Sequence, residues 1–259
     1  MRIDQLLVQR QLACTRSQAQ QLIAVGVRWQ HGELWHKVTK NGDDVPEDAL
    51  IQLQDAAQLS YVSRGGLKLQ SALEYLGLSV QGFLCLDVGQ CTGGFTDCLL
   101  QHGAARVVGV DVGHSQLHPK LRSDPRVLCL EKINARTLCA SDLIAAHADC
   151  ISVSGQFDLI VADLSFISQT LVLAALVPWL KPTGTLLALV KPQFELQPGQ
   201  VGKRGIVKDA TLYPLIEKRL RQAYADIGFQ VSHWFDSPIA GGDGNREFFI
   251  AARFAPPIT

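Results

Sequence analysis

Short apolar runs alternate with amphipathic segments from about Tyr61 to the end of the chain. The apolar runs predict strands at residues 83–88, 106–111, 127–131, 157–162, 184–190, 229–235 and 246–254. The amphipathic segments predict helices at residues 64–76, 94–102, 139–147, 168–178 and 209–227, with Ser63 capping the first and Gly77 ending it. Strands that alternate with helices indicate a mostly parallel α/β sheet covered on both faces, with ligands at the carboxyl ends of the strands.

The last two predicted strands are joined differently from the others. Only residues 237–245 connect them, and this segment contains several glycines and a proline. A parallel connection needs a crossover of a dozen or more residues, usually a helix. We therefore expect these two strands to form an antiparallel hairpin.

The first part of the chain has a different pattern. Apolar positions predict a short helix from Ile3, Leu6, Leu7 and Val8. Ser17 is a candidate cap for a second helix to about Val25, with Ala19, Leu22 and Ile23 on one face. Residues 26–30 then predict a strand, His31-Gly32 a turn, and residues 45–53 another extended segment. This pattern indicates a small helix-helix-strand module.

A glycine-containing turn follows the first strand of the larger part. Its pattern is D-x-G-x-x-x-G-G, formed by Asp87, Gly89, Gly93 and Gly94. Glycine lets the backbone approach a ligand closely, so this turn predicts a cofactor site. The dinucleotide pattern G-x-G-x-x-G has its second glycine where this chain has Cys91, which disfavours a pyrophosphate ligand.

Two carboxylates narrow the choice of cofactor. Asp87 at the end of the first strand would repel a phosphate but attract an ammonium or sulfonium group. Asp111 ends the next strand 22 residues after Gly89, close to the spacing of about 20 expected for a carboxylate that binds a ribose diol. S-adenosylmethionine carries both cations and no phosphate, so we expect it as the cofactor. The alternative is an ordinary strand-helix turn with two solvated carboxylates.

The overall charge conceals a basic region. The 259 residues contain 24 basic and 24 acidic side chains, but the first 42 residues hold six basic and two acidic ones. A local basic surface indicates contact with a polyanion. The candidates for RNA binding are Arg2, Arg10, Arg16, Arg28 and Arg64. The acidic residues 43–48 that follow are expected to face away from it.

Cysteine usage and hydropathy bear on the compartment. Seven cysteines form no C-x-x-C pair and lie mostly in apolar stretches, which predicts reduced, buried thiols in a cytoplasmic protein. The longest apolar stretch, residues 157–180, is interrupted by polar residues, and the N-terminus has too short an apolar core for a signal peptide. We expect no membrane span. His114 and His118 lack a third nearby ligand, so no metal site is predicted.

Four charged residues are candidates for chemistry. Asp163 and Lys191 each end a strand of the predicted sheet, where sites of such folds form. Lys68 lies on the helix before the first strand, and Glu247 adjoins the last apolar strand. A lysine beside carboxylates in a crevice is suited to guide or accept a proton from a poorly acidic hydroxyl. Taken singly, Lys68 and Glu247 are more often solvated charges of a helix and a strand.

The chain resembles the hemolysin-A (TlyA-type) family of ribosomal RNA 2'-O-methyltransferases along nearly its whole length. The residues that carry the resemblance are Arg2–Val8, Tyr61–Lys68, Leu86–Gly89, Thr92–Thr96, Val110–Gly113, Asp163–Ile167, Val190–Glu195 and Gly244–Glu247. The resemblance implies a Rossmann-like S-adenosylmethionine-dependent methyltransferase with a small N-terminal α/β RNA-binding domain. The implied boundaries are an alpha-L RNA-binding domain at 1–58, a linker at 59–66 and an FtsJ-like domain at 67–259.

The resemblance also implies roles for individual residues. A Lys-Asp-Lys-Glu tetrad falls on Lys68, Asp163, Lys191 and Glu247, with Lys191 orienting or deprotonating the ribose hydroxyl. The implied cofactor contacts are Asp87, Gly89, Thr92, Gly93, Gly94, Phe95, Asp111 and, for the adenine, Asn134. The implied partner is ribosomal RNA or a ribosomal subunit, with cytidine as the modified nucleotide. Gln90-Cys91 replaces the pair of small residues usual in the family. This departure affects the packing expected beneath the methionine moiety and leaves the glycines of the motif in place.

Three other functions are alternatives. One is an RNA-binding assembly factor with a methyltransferase-like fold, which cofactor binding and transfer of a labelled methyl group would distinguish from the enzyme. A cytolysin, which the family name suggests, needs an inserting segment that the sequence does not show. A dinucleotide oxidoreductase is disfavoured by Cys91. The charged segment Lys203-Arg204 with Lys208 is compatible either with RNA phosphate binding or with a solvated loop.

Overall fold

The computed structural model describes residues 1–13, 16–53, 60–144, 155–202, 205–241 and 243–255. The chain divides into two compact units, Met1–Ser63 and Arg64–Thr259. Within the described residues, no helix is both long enough and apolar enough to cross a membrane.

The small unit contains two helices and a three-stranded antiparallel sheet. Its elements are α1 (Ile3–Gln9), α2 (Arg16–Gly26), β1 (Val27–His31), β2 (Leu34–Lys37) and β3 (Leu50–Leu53). The strand order is β2-β1-β3. The apolar residues predicted to share a face, Leu6 and Leu7 on α1 and Leu22 and Ile23 on α2, are buried in one core. The helical periodicity of the sequence was therefore a sound guide here.

Three details of the small unit differ from the prediction. Helix α2 begins at Arg16, so Ser17 lies inside its first turn and not before it. Strand β2 was not predicted because all four of its residues are exposed, which leaves no alternation of buried and exposed positions to detect. The extended segment forms a strand only over Leu50–Leu53, while the preceding residues make turns and one isolated bridge, between Asp44 and Arg2.

The large unit is a seven-stranded sheet flanked by helices. Its elements are α3 (Arg64–Leu76), β4 (Leu84–Val88), α4 (Gly94–Gln101), β5 (Arg106–Asp111), α5 (Pro119–Arg122), β6 (Val127–Glu131), α6 (Ala140–Ile144), β7 (Phe157–Ala162), α7 (Leu173–Leu176), β8 (Leu180–Val190), α8 (Pro192–Glu195), α9 (Tyr213–Asp226), β9 (Phe229–Asp236) and β10 (Phe248–Phe254).

The sheet has the order β6-β5-β4-β7-β8-β10-β9. Strands β4 to β8 pair in parallel, and β10 pairs antiparallel with both β8 and β9, which confirms the predicted hairpin. The strand order changes direction between β4 and β7, which are neighbouring parallel strands near the centre of the sheet. A crevice at the carboxyl ends of such strands is the usual ligand site of this architecture.

Several predicted boundaries were wrong in the large unit. Residues 168–178 form a short α7 between two 3₁₀ turns, Gln169–Leu171 and Val177–Trp179; Pro178 lacks the N–H that a continuous helix requires. Strand β8 begins four residues earlier than predicted. A 3₁₀ turn precedes α9, which begins at Tyr213. The predicted helix 139–147 is α6 at Ala140–Ile144, and residues 145–147 lie outside the described residues.

Helices cover both faces of the sheet, as the apolar runs predicted. On one face, Ile216, Leu220 and Tyr224 of α9 share a core with Leu86 and Ile160 of the central strands. The other face is covered in part by α3 and α4, which pack against each other. There the ring of Phe95 stacks on Phe249 of β10, with ring centroids 6.4 Å apart.

Candidate active site

The glycine turn connects β4 to α4 as predicted, although its glycines are required by the protein's own packing. Gly89 has a φ of +84°, and a Cβ there would lie 2.5 Å from the backbone oxygen of Asp163. Gly93 has a φ of +92°, and its Cβ would meet Leu117 and Leu121. Side chains are strained in this left-handed region. The turn is thereby held directly against the loop that follows β7.

Asp87 is a buried carboxylate beneath this turn. Its side chain has no exposure, and its Oδ2 accepts a hydrogen bond of 2.7 Å from Thr96 Oγ1. The other oxygen, Oδ1, has no hydrogen-bond partner within the described parts of the chain. The pKa of Asp87 is raised to about 7. Burial is the largest cause, and the nearby Asp163 and Asp111 add to the rise, whereas the hydrogen bonds from Thr96 oppose it.

Asp111 lies at the end of β5 and braces the turn. Its two oxygens accept hydrogen bonds from the backbone N–H groups of Cys91 (2.8 Å) and Gly113 (2.6 Å). The side chain of Cys91 is exposed, which corrects the expectation that it packs in the interior; its backbone has a φ of +49° in the turn. Asp111 is only partly buried, so it remains accessible to a ligand as well as to the turn.

The other predicted cofactor residues have different surroundings. Thr92 is exposed on the turn, and Gly94 begins α4. Phe95 is buried and faces the sheet, which leaves its backbone as the part that could meet a ligand. Asn134 is exposed after β6, and its Oδ1 accepts a hydrogen bond from the backbone N–H of Arg136. The side chains available to a ligand are thus Asp111, Thr92 and Asn134.

The four candidate catalytic residues form two ion pairs. Lys191, which follows β8, lies 2.6 Å from Asp163, which follows β7. Lys68 on α3 forms a close ion pair with Glu247, which precedes β10. The side chains of Lys68 and Glu247 are 10% and 3% exposed, so this pair is shielded from water. Neither is the solvated surface charge that the pattern alone also allowed.

The two ion pairs lie close enough to influence each other. Burial raises the pKa of Glu247, Lys68 and Lys191 oppose that rise, and Asp163 adds to it. Asp163 in turn acts on Asp87 and on Cys91 of the glycine turn. The structure therefore brings the four residues together, beside the turn and at the carboxyl end of the sheet.

Several residues around this cluster were not among the predicted site residues. Ser165 accepts a hydrogen bond of 2.8 Å from Lys191 Nζ, so the lysine is held from two sides. Phe166 is 90% exposed, with a φ of +65°, and its ring lies 5.1 Å from that of Phe194. The signal available in the sequence was an aromatic residue three positions after a strand-end aspartate; the exposure of its ring is visible only in the structure.

Asn245 connects the site to the long segment after α8. It is 2% exposed; its Nδ2 donates to the backbone oxygen of Gly205 at 2.8 Å, and its Oδ1 accepts from the backbone N–H of Val207 at 2.9 Å. The segment that contains Lys208 is therefore attached two residues away from Glu247. Lys203 and Arg204 lie outside the described residues.

Glu195 joins the loops that carry Asp163 and Lys191. It is 3% exposed and accepts hydrogen bonds from Ser168 Oγ (2.6 Å), the backbone N–H of Gln169 (2.8 Å) and the guanidinium of Arg219 on α9. Burial raises its pKa against these hydrogen bonds. Glu195 lies in the segment after Lys191, and its partners lie in the segment after Asp163 and on α9, so it holds the spacing of these three parts.

Replacement of this carboxylate should destabilise the protein. We expect Glu195→Ala to lower the free energy of unfolding by about 3 kcal/mol, because buried donors lose their acceptor. Glu217→Ala is the matched control: Glu217 forms an exposed i,i+4 pair with Arg221 on the same α9, and its loss should cost under about 1 kcal/mol. Urea unfolding of both variants checks this; equal losses would contradict the bridging role of Glu195.

The predicted RNA-binding arginines differ in how they are engaged. Arg2 and Arg16 both pair with the buried Asp4, at 3.0 and 2.9 Å, and the hydrogen bond from Arg2 lowers the pKa of Asp4 to about 2. Arg10 donates to the backbone oxygens of Ala49 and Glu47. These three side chains stabilise the fold of the small unit, in addition to any role at its surface.

Among the residues that the structure describes, Arg28 and Arg64 have no such contacts. Arg28 is exposed on β1, and Arg64 is half-buried at the start of α3. The prediction that the acidic residues face away from the basic ones was wrong at Arg2. The hydrogen bond that Arg2 donates to Asp4 is the largest cause of its raised pKa, and the nearby Asp44 adds to that rise. The cause is the bridge between Arg2 and Asp44, which brings the acidic segment back to the N-terminus.

The two histidines have local roles in the structure. His118 caps α5 by accepting a hydrogen bond from the backbone N–H of Lys120. His114 lies 3.5 Å from Glu131. Over the described ranges, no group of three or more histidine, cysteine and carboxylate side chains could hold a metal ion.

A mostly parallel sheet with an antiparallel last strand, a glycine turn after β4 and strand-end carboxylates is the arrangement expected of an S-adenosylmethionine-dependent methyltransferase. The model of the FtsJ-like methyltransferase family matches residues 61–254. The chain therefore belongs to the FtsJ-like methyltransferase family, and its full-length relatives place it with the TlyA-type hemolysin-A proteins.

Three similar proteins illustrate this relationship. The 16S/23S rRNA (cytidine-2'-O)-methyltransferase TlyA of Mycobacterium tuberculosis is 40% identical over 97% of this chain and 89% of its own length. Hemolysin A of Brachyspira hyodysenteriae is 37% identical over 96% of this chain and 98% of its own length. A solved structure from Streptococcus thermophilus, provisionally named a hemolysin, is 38% identical with a TM-score of 0.75, covering 98% of this chain and 88% of that one.

Proposed function

We propose that this enzyme transfers the methyl group of S-adenosylmethionine to the 2'-hydroxyl of a ribose, that of a cytidine, in ribosomal RNA. The observation that carries the proposal is the pairing of Lys191 with Asp163 and of Lys68 with Glu247 beside the glycine turn. The printed activity of the Mycobacterium tuberculosis relative supports the choice of cytidine and of ribosomal RNA.

The residues around the turn suit S-adenosylmethionine. Asp111 and Asp163 lie close enough to Asp87 to act on it electrostatically. Three neighbouring carboxylates make the electrostatic potential at the turn negative, which favours a cationic ligand over a phosphate. Asp87 Oδ1 is buried without a hydrogen-bond partner within the described residues, so negative charge there lacks full compensation by the protein. Bound at this place, S-adenosylmethionine supplies a methyl group on a positively charged sulfur.

The residues that would hold the cofactor differ in what they offer. Asp111 offers carboxylate oxygens to a ribose diol, and Asn134 offers an exposed amide near an adenine. Asp87 contributes charge from below the turn. The backbone of Gly89, Thr92, Gly93 and Gly94 forms the surface above it, and Phe95 supports that surface from the core.

Lys191 is the residue suited to handle the hydroxyl. Asp163 and Ser165 hold its Nζ at the mouth of the crevice. The hydroxyl must lose its proton when its oxygen acquires the methyl group. As the ammonium paired with Asp163, Lys191 donates a hydrogen bond that orients the ribose hydroxyl; after it has released a proton to water, its neutral amine accepts the proton of the hydroxyl. Glu247 and Lys68 form a second, buried ion pair near this one.

The small unit is proposed as the part that binds RNA, with boundaries near those predicted, a domain at 1–58 and a linker at 59–66. Its arginines offer contacts to phosphates, which suit a folded RNA recognised by shape. The exposed ring of Phe166 offers a surface on which a base can stack next to Lys191. A cytoplasmic location, where ribosomes are modified, completes the proposal.

The RNA-binding role of the small unit can be tested at Arg28, which is exposed and has no structural partner among those described. We expect Arg28→Ala to weaken binding to ribosomal RNA about threefold or more and to reduce its salt dependence, because one phosphate contact is lost. The affinity for S-adenosylmethionine should not change. Arg221→Ala on α9 is the control. Filter binding at several salt concentrations measures this; identical salt slopes for both variants would exclude Arg28 from the interface.

The reaction itself can be tested with labelled cofactor. Ribosomal subunits from cells that lack this protein are incubated with it and methyl-labelled S-adenosylmethionine, and the RNA is then hydrolysed in alkali. We expect the label in alkali-resistant dinucleotides, because a methylated 2'-oxygen cannot attack the neighbouring phosphate. Label in mononucleotides would indicate methylation of a base and contradict the proposal.

A further inference from the structure

Gln90 follows the first glycine of the turn and is buried, with 3% exposure. Its Nε2 donates a hydrogen bond of 2.9 Å to Thr96 Oγ1, and Thr96 Oγ1 donates one of 2.7 Å to Asp87 Oδ2. Thr96 is also fully buried. The three side chains form a chain of hydrogen bonds that runs from the turn, through α4, to the carboxylate below the turn.

The direction of this chain is determined by chemistry. An ionised carboxylate can only accept hydrogen bonds, so the single proton of the Thr96 hydroxyl points to Asp87. The hydroxyl oxygen must then accept from its other neighbour, and the amide nitrogen of Gln90 is a donor. Gln90 thus keeps the Thr96 hydroxyl in the orientation that serves an ionised Asp87.

A specific place for the Gln90 side chain exists on the neighbouring strand. A Cβ on Gly109 of β5 would lie 2.0 Å from the amide carbon of Gln90. The absence of a side chain at Gly109 therefore provides the space that the amide occupies. A large polar side chain at position 90 therefore requires a glycine at position 109, 19 positions later in the sequence.

We propose that Gln90 is a positioning residue of the cofactor site, which acts through Thr96 to hold the Asp87 carboxylate in its ionised form and so sets the pH range for cofactor binding. The inference rests on the proposed use of S-adenosylmethionine. It assigns a role to Gln90, the first residue of the Gln90-Cys91 pair at which this chain departs from the small residues usual in its family.

The charges around Asp87 explain why such help matters. Burial raises the pKa of Asp87 to about 7, the side-chain and backbone hydrogen bonds of Thr96 lower it, and Asp163 and Asp111 raise it. Lys191, which follows the neighbouring part of the sheet, is paired with Asp163. Without the oriented hydroxyl, the effect of burial is less opposed and the pKa rises further. A cationic ligand then binds well only at higher pH.

The test measures the dissociation constant of S-adenosylmethionine for the full-length protein by calorimetry from pH 6 to pH 9. The wild type should bind tightly above about pH 7 and more weakly as the pH falls below it. Gln90→Leu should shift this midpoint upward by about one pH unit, which is about fivefold weaker binding at pH 7, about tenfold weaker binding at pH 6 and recovery near pH 9. Thr96→Val, which removes the hydroxyl, should give the same shift, and Thr96→Ser, which keeps it, should retain the wild-type profile.

Gln101→Leu is the matched control, because Gln101 also donates to an aspartate, Asp97, but from the exposed end of α4. Its profile should equal that of the wild type. If Gln90→Leu and Thr96→Val bind equally weakly at every pH, or keep the wild-type midpoint, the inference is overturned while the proposed function stands. If the wild type itself does not bind S-adenosylmethionine, both are overturned.

Discussion

Lys191→Ala should lower the rate of methyl transfer to ribosomal RNA by about a thousandfold, within the range of 10² to 10⁴ typical for loss of a general acid or base. The dissociation constant of S-adenosylmethionine should stay within about twofold of the wild type. The reason is geometric: Lys191 Nζ contacts Asp163 and Ser165 at the crevice, whereas the cofactor residues lie on the glycine turn and the loops after β5 and β6. Single-turnover transfer of labelled methyl and calorimetric titration separate the two effects.

Lys181→Ala is a matched control on the same strand. Lys181 lies near the opposite end of β8 and also pairs with an aspartate, Asp158, at 2.6 Å. We expect wild-type turnover from this variant, because its ion pair lies away from the carboxyl ends of the strands. Near-normal turnover of Lys191→Ala would remove the assignment of Lys191 and favour the alternative of an RNA-binding assembly factor.

Lys68→Met should abolish activity and also lower the free energy of unfolding by about 3 to 5 kcal/mol, because it leaves Glu247 buried without its cation. The loss should depend on pH. Burial already raises the pKa of Glu247, and removal of Lys68 raises it further. A carboxyl whose pKa is higher in the folded state than in the unfolded state favours folding at low pH and loses that contribution as the pH rises through the folded value. The deficit should therefore be smallest below about pH 4.5 and grow toward neutral pH.

A double variant separates stability from catalysis. Lys68→Met combined with Glu247→Leu replaces the buried pair by apolar side chains of similar size, which is often neutral for stability. We expect most of the lost unfolding free energy to return while methyl transfer stays absent. Urea unfolding at pH 5 and pH 8, together with the transfer assay, checks both results. Recovery of activity in the double variant would show that the pair has only a structural role.

The architecture of the large unit was largely predictable from sequence. Buried parallel strands appear as continuous apolar runs, so their number, their order along the chain and the carboxylates at their ends could be inferred directly. Asp87, Asp111, Asp163 and Lys191 follow from this, because each lies at a strand terminus. Lys68 and Glu247 depended on the family resemblance, since a single charge on a helix or beside a strand has no periodic signature.

Other parts of the site depend on contacts between distant segments. Glu195 accepts hydrogen bonds from Ser168, Gln169 and Arg219. No local sequence pattern predicts that the segment of residues 168–169 and helix α9 meet at this carboxylate. The pairing of Gln90 with Gly109 is likewise visible only when β4 and β5 lie side by side. Strand β2 was missed for the opposite reason, because it is exposed along its length.

The central claim is that this enzyme methylates a ribose of ribosomal RNA, and site mapping tests it most directly. Ribosomal RNA from cells with the protein, from cells without it, and from cells that carry the Lys191→Ala variant is mapped for 2'-O-methylated nucleotides. We predict at least one cytidine that is 2'-O-methylated only in cells with the active protein. Identical 2'-O-methylation maps in all three samples would contradict the account.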